Sequence, residues 1–176
     1  MTVATQIGEA FVGSGGEAAH INTVLGARGG PVETAWVSAL AMPRTGHAAF
    51  IVVVRPGLAV KPLTLFVNKA ELTGPVHARL TWGAAQAGVA SGVLAAVADD
   101  VVPSAEIDAL LLVAAVWVDP EADDEWSVYE NNRAAALQAL VSGRDLAPPL
   151  DALMEVRDAP RNPFFEPDRF REEGGP

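Results

Sequence analysis

The 176-residue chain carries 12 Lys and Arg against 22 Asp and Glu, a formal charge of -10. That balance argues against a general nucleic-acid binder, whose affinity rests on basic side chains neutralising phosphates. Cysteine is absent, which excludes disulfides, thiolate nucleophiles and thiolate metal sites and fits a reducing compartment. Half of the residues are hydrophobic and the mean hydropathy is +0.24, high for a small soluble monomer, so a homo-oligomer with sizeable apolar contacts is expected.

The opening MTVATQIGEA has neither a basic start nor an apolar block, and no run approaches a membrane span, so a cytoplasmic protein without a membrane partner is expected. A first strand is predicted over Ala4 to Val12. The corner Gly13 to Gly16 turns it into a second strand over Glu17 to Leu25, bounded by Gly26, Gly29 and Gly30, and the two make a hairpin. Side chains two apart on a strand share a face, so His20 and Asn22 point one way and Ile21 the other. A polar pair on one face of an apolar strand suits the wall of a site; it equally suits a histidine hydrogen-bonded within a core or an interface.

A helix follows from Pro31, with Glu33 near the positive end of its dipole and an apolar stripe through Trp36 and Leu40. The β-branched run from His47 to Val54 reads as a buried strand, and Leu63 to Leu72 as another, which would place Lys69 and Glu71 on one side. Lys61 and Lys69 are the only lysines. From Pro75 to Ala98 the pattern is helical, with a break at Gly83 and many small residues that permit another backbone to approach closely; Asp99, Asp100 and Pro103 close it. Ala109 to Val118 reads as a fully buried strand, its Ala and Leu content leaving a buried helix open. Asp119 as cap and Pro120 in the first turn start a last long helix, in which Trp126, Tyr129, Leu137, Leu140 and Val141 recur at helical spacing up to Gly143. Beyond Arg144 an extended tail is expected, anchored by Phe164 and Phe165, so that residues 1–150 form the domain and 151–176 the tail. Together these elements make an α+β domain with a mainly antiparallel sheet and helices on one face.

Three motifs lead nowhere. Gly13-Ser14-Gly15-Gly16 lacks the Lys-Ser/Thr ending of a phosphate loop, and Ala18 stands where a dinucleotide fingerprint needs its third glycine. His20, His47 and His77 lack the close spacing of a metal site. Asp123, Asp124 and Glu125 suit a helix start, so capping and solvation explain them.

Read together, GEAFVG, EAAHIN, GARGGPVETA, LFVNKAEL, WGAAQAGVA and VYENNRAA, in this order between about Ile7 and Gly143, resemble the formaldehyde-activating enzyme family. NPFF in the tail is similar to the aromatic ending of its members. The resemblance implies a fold like the second domain of ribosomal protein S5, a homopentameric ring with sites at subunit contacts, and condensation of formaldehyde with tetrahydromethanopterin. It further implies His20 as proton donor, and a pterin held by Asn22, Ile51, Lys69, Glu71 and Gln86. Two positions depart from the pattern: the family commonly has aspartate where Asn22 stands and threonine where Glu71 stands.

The chemistry requires an acid near neutrality, because a pterin amine adds to formaldehyde to give a carbinolamine whose hydroxyl must leave as water. Histidine suits that step, with an unperturbed pKa of about 6.5. A carboxylate nearby would stabilise both imidazolium and iminium, and Asn22 supplies no charge. Glu71 either restores that charge or retunes the pocket for another amine-bearing ligand. Plainer readings stand beside these: Lys69 ion-paired with Glu71 on an exposed face, Gln86 on a helix surface, Ile51 in the core. The alternatives to an enzyme are a non-catalytic paralogue binding a pterin, an aldehyde or a protein in the same cleft, and a structural ring without ligand.

Overall fold

A computed structural model describes residues 4–162 and 165. Among these, the residues up to 146 form one unit and those from 147 onward another. In the first, β1 (Gln6–Val12) and β2 (Ala19–Ala27) pair antiparallel around a corner where Gly13 and Gly15 take φ of +87° and +66°, a region costly for other residues. Glu17 belongs to a 3-10 turn, not to the strand, and its carbonyl accepts a 2.8 Å bond from the Asn131 side-chain amide.

The large sheet has the order β1-β2-β7-β6-β3, with β7 (Leu110–Trp117) parallel to β6 (Leu63–Asn68) and the other three pairings antiparallel. The strand expected over His47 to Val54 is split into β3 (Ala49–Ile51) and β4 (Val53–Arg55). At the split, the Val52 N–H donates to the Thr64 carbonyl while its own carbonyl accepts from Val60 N–H, and β4 turns away to pair with β5 (Leu58–Ala59). The strand expected over Leu63 to Leu72 stops at Asn68. There the Asn68 side-chain amide donates to the carbonyls of Ala70 (2.7 Å) and Gly46 (2.9 Å), a local alternative to the strand ladder that bends the chain.

The crossover from β6 to β7 is helical: α2 (Gly74–Arg79), a π-helical turn (Leu80–Ala85) and α3 (Gln86–Ala98). The expected break at Gly83 is this π turn, which keeps the helix running. The stretch Gly74–Ala98 is long and apolar enough to cross a membrane by length and composition, which corrects the expectation that no run approaches a span. Many of its apolar side chains belong to the core, with Leu80, Ala85, Val89, Val93 and Ala96 buried, while Val76, Trp82 and Leu94 are exposed.

α3 packs on α4 (Glu125–Asp145), which crosses β1 and β2. The cap is Asp124, whose carboxylate accepts from the Trp126 N–H and the Ser127 hydroxyl; Asp119 instead holds the Glu121 N–H in the preceding turn. The small residues of α3 allow close approach: a methyl on Gly92 would run into the Arg133 carbonyl on α4. Gly92→Ala is accordingly expected to lower stability by about 1–3 kcal/mol, the range of an overpacked core, read as a lower urea midpoint.

The pleat divides the sheet into two faces. Ile21, Leu25, Phe66, Leu112, Ala114 and Val116 point into the main core with α3 and α4. On the opposite face α1 (Pro31–Ala41) covers one end, where Val32 and Trp36 pack with Val24, Leu65, Leu111 and Val113. Helices thus dominate one face as expected, and a single helix shields part of the other.

In the second unit, α5 (Leu150–Glu155) interrupts the tail expected to be extended. A bridge joins Asn162 to Phe165, which is exposed; Phe164 lies outside the described residues.

Candidate active site

Register assembles the site. On β2, His20 and Asn22 lie on the face that α1 covers only at its other end, paired with Trp117 and Ala115 of β7. Across the hairpin, Phe11 of β1 sits opposite His20 and Glu9 opposite Asn22. The result is a carboxylate against the imidazole, with Glu9 Oε1 at 3.0 Å from His20 Nε2, and the Phe11 ring 6.0 Å from the histidine ring.

Lys69 enters from the other side. Its backbone N–H donates to the Val116 carbonyl at 2.8 Å, tacking the residue after β6 onto β7. From there the four-carbon stem carries the ammonium to Asn22, where Nζ donates to Oδ1 at 2.8 Å. Four polar side chains therefore meet on one patch of sheet: Glu9, His20, Asn22 and Lys69.

The electrostatics follow from half-burial. Loss of solvation lowers the His20 pKa, the Lys69 ammonium lowers it further, and the Glu9 carboxylate opposes both. Loss of solvation also brings Lys69 down to about 8, again opposed by Glu9. Two groups able to give or take a proton near neutrality thus share one carboxylate, and perturbed groups gathered in this way mark a functional patch.

The remaining candidates lie elsewhere. Ile51 ends β3 at the opposite edge of the sheet, opposite Leu65, and is 38% exposed, which corrects its reading as core. Gln86 is buried on the α3 side, where its Oε1 accepts from the Val53 N–H at 2.6 Å; it clamps β4 and is no helix-surface residue. Glu71 is exposed and packs against Gly46. Because the strand ends at Asn68, Lys69 and Glu71 do not alternate along one face. Among the described residues Lys69 forms no ion pair with Glu71; its partner is Asn22. So Glu9, His20, Asn22 and Lys69 form one group, while Ile51, Gln86 and Glu71 each lie apart from it.

The other histidines are accounted for locally. His77 is buried, accepting at Nδ1 from the Thr73 N–H and donating from Nε2 to the Val118 carbonyl. His47 donates from Nδ1 to the Asn68 carbonyl. Among the described residues no three His, Cys, Asp or Glu side chains gather as a metal site would require.

Sequence reasoning missed Glu9. Its signal was present in QIGEAFV, a charged residue in an apolar strand, but only the hairpin register reveals what it faces.

Residues 7–165 match the family described as formaldehyde-activating enzyme (Fae). The chain is 39% identical to the 5,6,7,8-tetrahydromethanopterin hydro-lyase of Methanosarcina barkeri over 160 residues, 91% of this chain and 90% of that protein. It is 35% identical to the bifunctional enzyme Fae/Hps of Methanosarcina mazei, over 85% of this chain and 38% of the relative. With the bifunctional enzyme Fae/Hps of Methanosphaera stadtmanae it shares 34% identity, over 91% of this chain and 39% of the relative. The chain thus spans less than half the length of the bifunctional relatives. A match running from the first strand into the tail, with near-complete mutual coverage of a single-function relative, places this chain in the formaldehyde-activating enzyme family.

Proposed function

We propose that this protein condenses formaldehyde with tetrahydromethanopterin, or a related reduced pterin, to the methylene derivative and water, with His20 as general acid. The observation that carries this reading is the Glu9–His20 contact of 3.0 Å beside Lys69 and Asn22. A pterin amine adds to formaldehyde; the imidazolium of His20 protonates the carbinolamine hydroxyl, water leaves, and the second amine closes the ring and sheds a proton. Glu9 stabilises the imidazolium before transfer and the iminium after it. The carboxylate that position 22 lacks is therefore present across the hairpin, which favours a working enzyme over a non-catalytic paralogue. Lys69 and Asn22 orient the pterin through charge and hydrogen bonding.

The distance of Ile51 and Gln86 from the His20 group supports a shared site. In a homopentamer, Ile51 and Gln86 of one protomer would complete the His20 group of its neighbour, and exposed Ile7, Phe11 and Ile51 provide apolar surface for the contact. Glu71 would act at the margin of the pterin. The reading places the protein in the cytoplasm, where a reduced pterin is kept reduced.

Purified protein is expected to form methylene-tetrahydromethanopterin faster than the spontaneous condensation, and to sediment as an oligomer. No acceleration with this pterin removes the reaction; a monomer in solution removes the shared site.

A further inference from the structure

We propose that the Lys69 amine is itself a nucleophile for formaldehyde or another small unhindered aldehyde, holding the one-carbon unit covalently and reversibly on the protein. The proposal deepens the reading above, on which it rests for the identity of the aldehyde.

The other lysine, Lys61, is ion-paired with Asp108 on an exposed surface. Lys69 is half-buried, and its hydrogen-bond acceptor is the neutral amide of Asn22. A carboxylate in that place would fix the proton on nitrogen; an amide oxygen orients the group without doing so. With the pKa brought to about 8, the free amine is present in about a tenth of molecules at pH 7, against well under a thousandth for an unperturbed lysine. Desolvation is an established way of arming a lysine for carbonyl chemistry.

The neighbours supply the rest. The amine lone pair forms the N–C bond as the carbonyl π bond breaks, and the proton shed by nitrogen goes to the oxygen, giving Lys–NH–CH2OH. The imidazolium of His20 then protonates that hydroxyl, the C–O bond breaks, and water leaves as the nitrogen lone pair forms the C=N bond. Glu9, which faces both cationic groups, stabilises the resulting iminium. An incoming amine adds to the iminium carbon, a proton passes from its nitrogen to that of Lys69, and the Lys69 N–C bond breaks to leave the carbon on the amine, with no oxidant or reductant involved. The sheet patch that α1 leaves uncovered gives the aldehyde access.

Lys61 provides the internal control. The full-length protein is treated at pH 7 with limiting formaldehyde and cyanoborohydride, without pterin, and methylation of the two lysines is compared by peptide mass spectrometry. Lys69 is expected to be methylated at least tenfold faster than Lys61, and Asn22→Asp to slow Lys69 several-fold while leaving Lys61 unchanged. Equal or slower methylation of Lys69 overturns the proposal, and so does an Asn22→Asp variant whose Lys69 reacts as before. Because no pterin is present, failure here with condensation intact removes only the covalent step. Selective labelling without condensation keeps the capture and removes the pterin reaction.

Discussion

His20→Ala lowers the rate of methylene-pterin formation by roughly a hundredfold or more, the usual contribution of a positioned general acid. That loss corresponds to about 2.7 kcal/mol of transition-state stabilisation. The fold survives the change, because His20 is half-exposed on the side of the sheet away from the main core, and its ring contacts are to Phe11 and Glu9 on the neighbouring strand. Its thermal midpoint should match that of the parent protein. His77→Ala provides the contrast: that imidazole is buried and bonded at both nitrogens, so its removal leaves the Val118 carbonyl without its donor and costs stability, not chemistry. Retention of the parent rate in His20→Ala would reject its role as proton source.

What the sequence made legible was local. The period-2 pattern around His20 and Asn22 correctly put them on one face, and the apolar run from Ala109 to Val118 resolved as a strand because it lies between two others, though it is not fully buried: Val113, Ala115 and Trp117 are partly exposed on the face away from the main core. What stayed hidden depended on long-range register or on side chains that terminate elements. Asn68 ends β6 by bonding the carbonyls of Gly46 and Ala70, and nothing in LFVNKAEL distinguishes that from a strand continuing to Leu72. Its consequence is large, since Glu71 then leaves the face and Lys69 reaches Asn22. Asp119 and Asp124 are both good caps by residue type; each holds a backbone N–H two residues on, and the structure alone tells which one opens the long helix. Gln86 illustrates the converse. Helical position suggested an exposed polar side chain, whereas burial against β4 gives its oxygen a backbone donor.

Glu9→Gln keeps the size and hydrogen-bonding reach of the side chain while removing its charge, and it lowers the rate at pH 7 by about tenfold, the effect of roughly one pKa unit on the fraction of acid. The sign follows from the groups that face His20. Burial and the Lys69 ammonium both lower its pKa, and Glu9 is the influence that raises it, so neutralising Glu9 moves the pKa further down. A reaction that needs the imidazolium slows as pH rises through that pKa, so the falling limb of the rate profile shifts to lower pH. The variant should approach the parent rate as the solution is acidified below the ordinary histidine range. Lys69 also loses an opposing charge, so its pKa falls below about 8, which relieves its pressure on His20 only where Lys69 is deprotonated and leaves the acid-side shift intact. Adding Asn22→Asp restores a carboxylate across the same hairpin register and is expected to move the falling limb of the profile part of the way back. A profile unmoved by Glu9→Gln would mean that the carboxylate does not set the proton affinity of His20. A shift without rescue would mean that it acts through its particular contact, not through its charge.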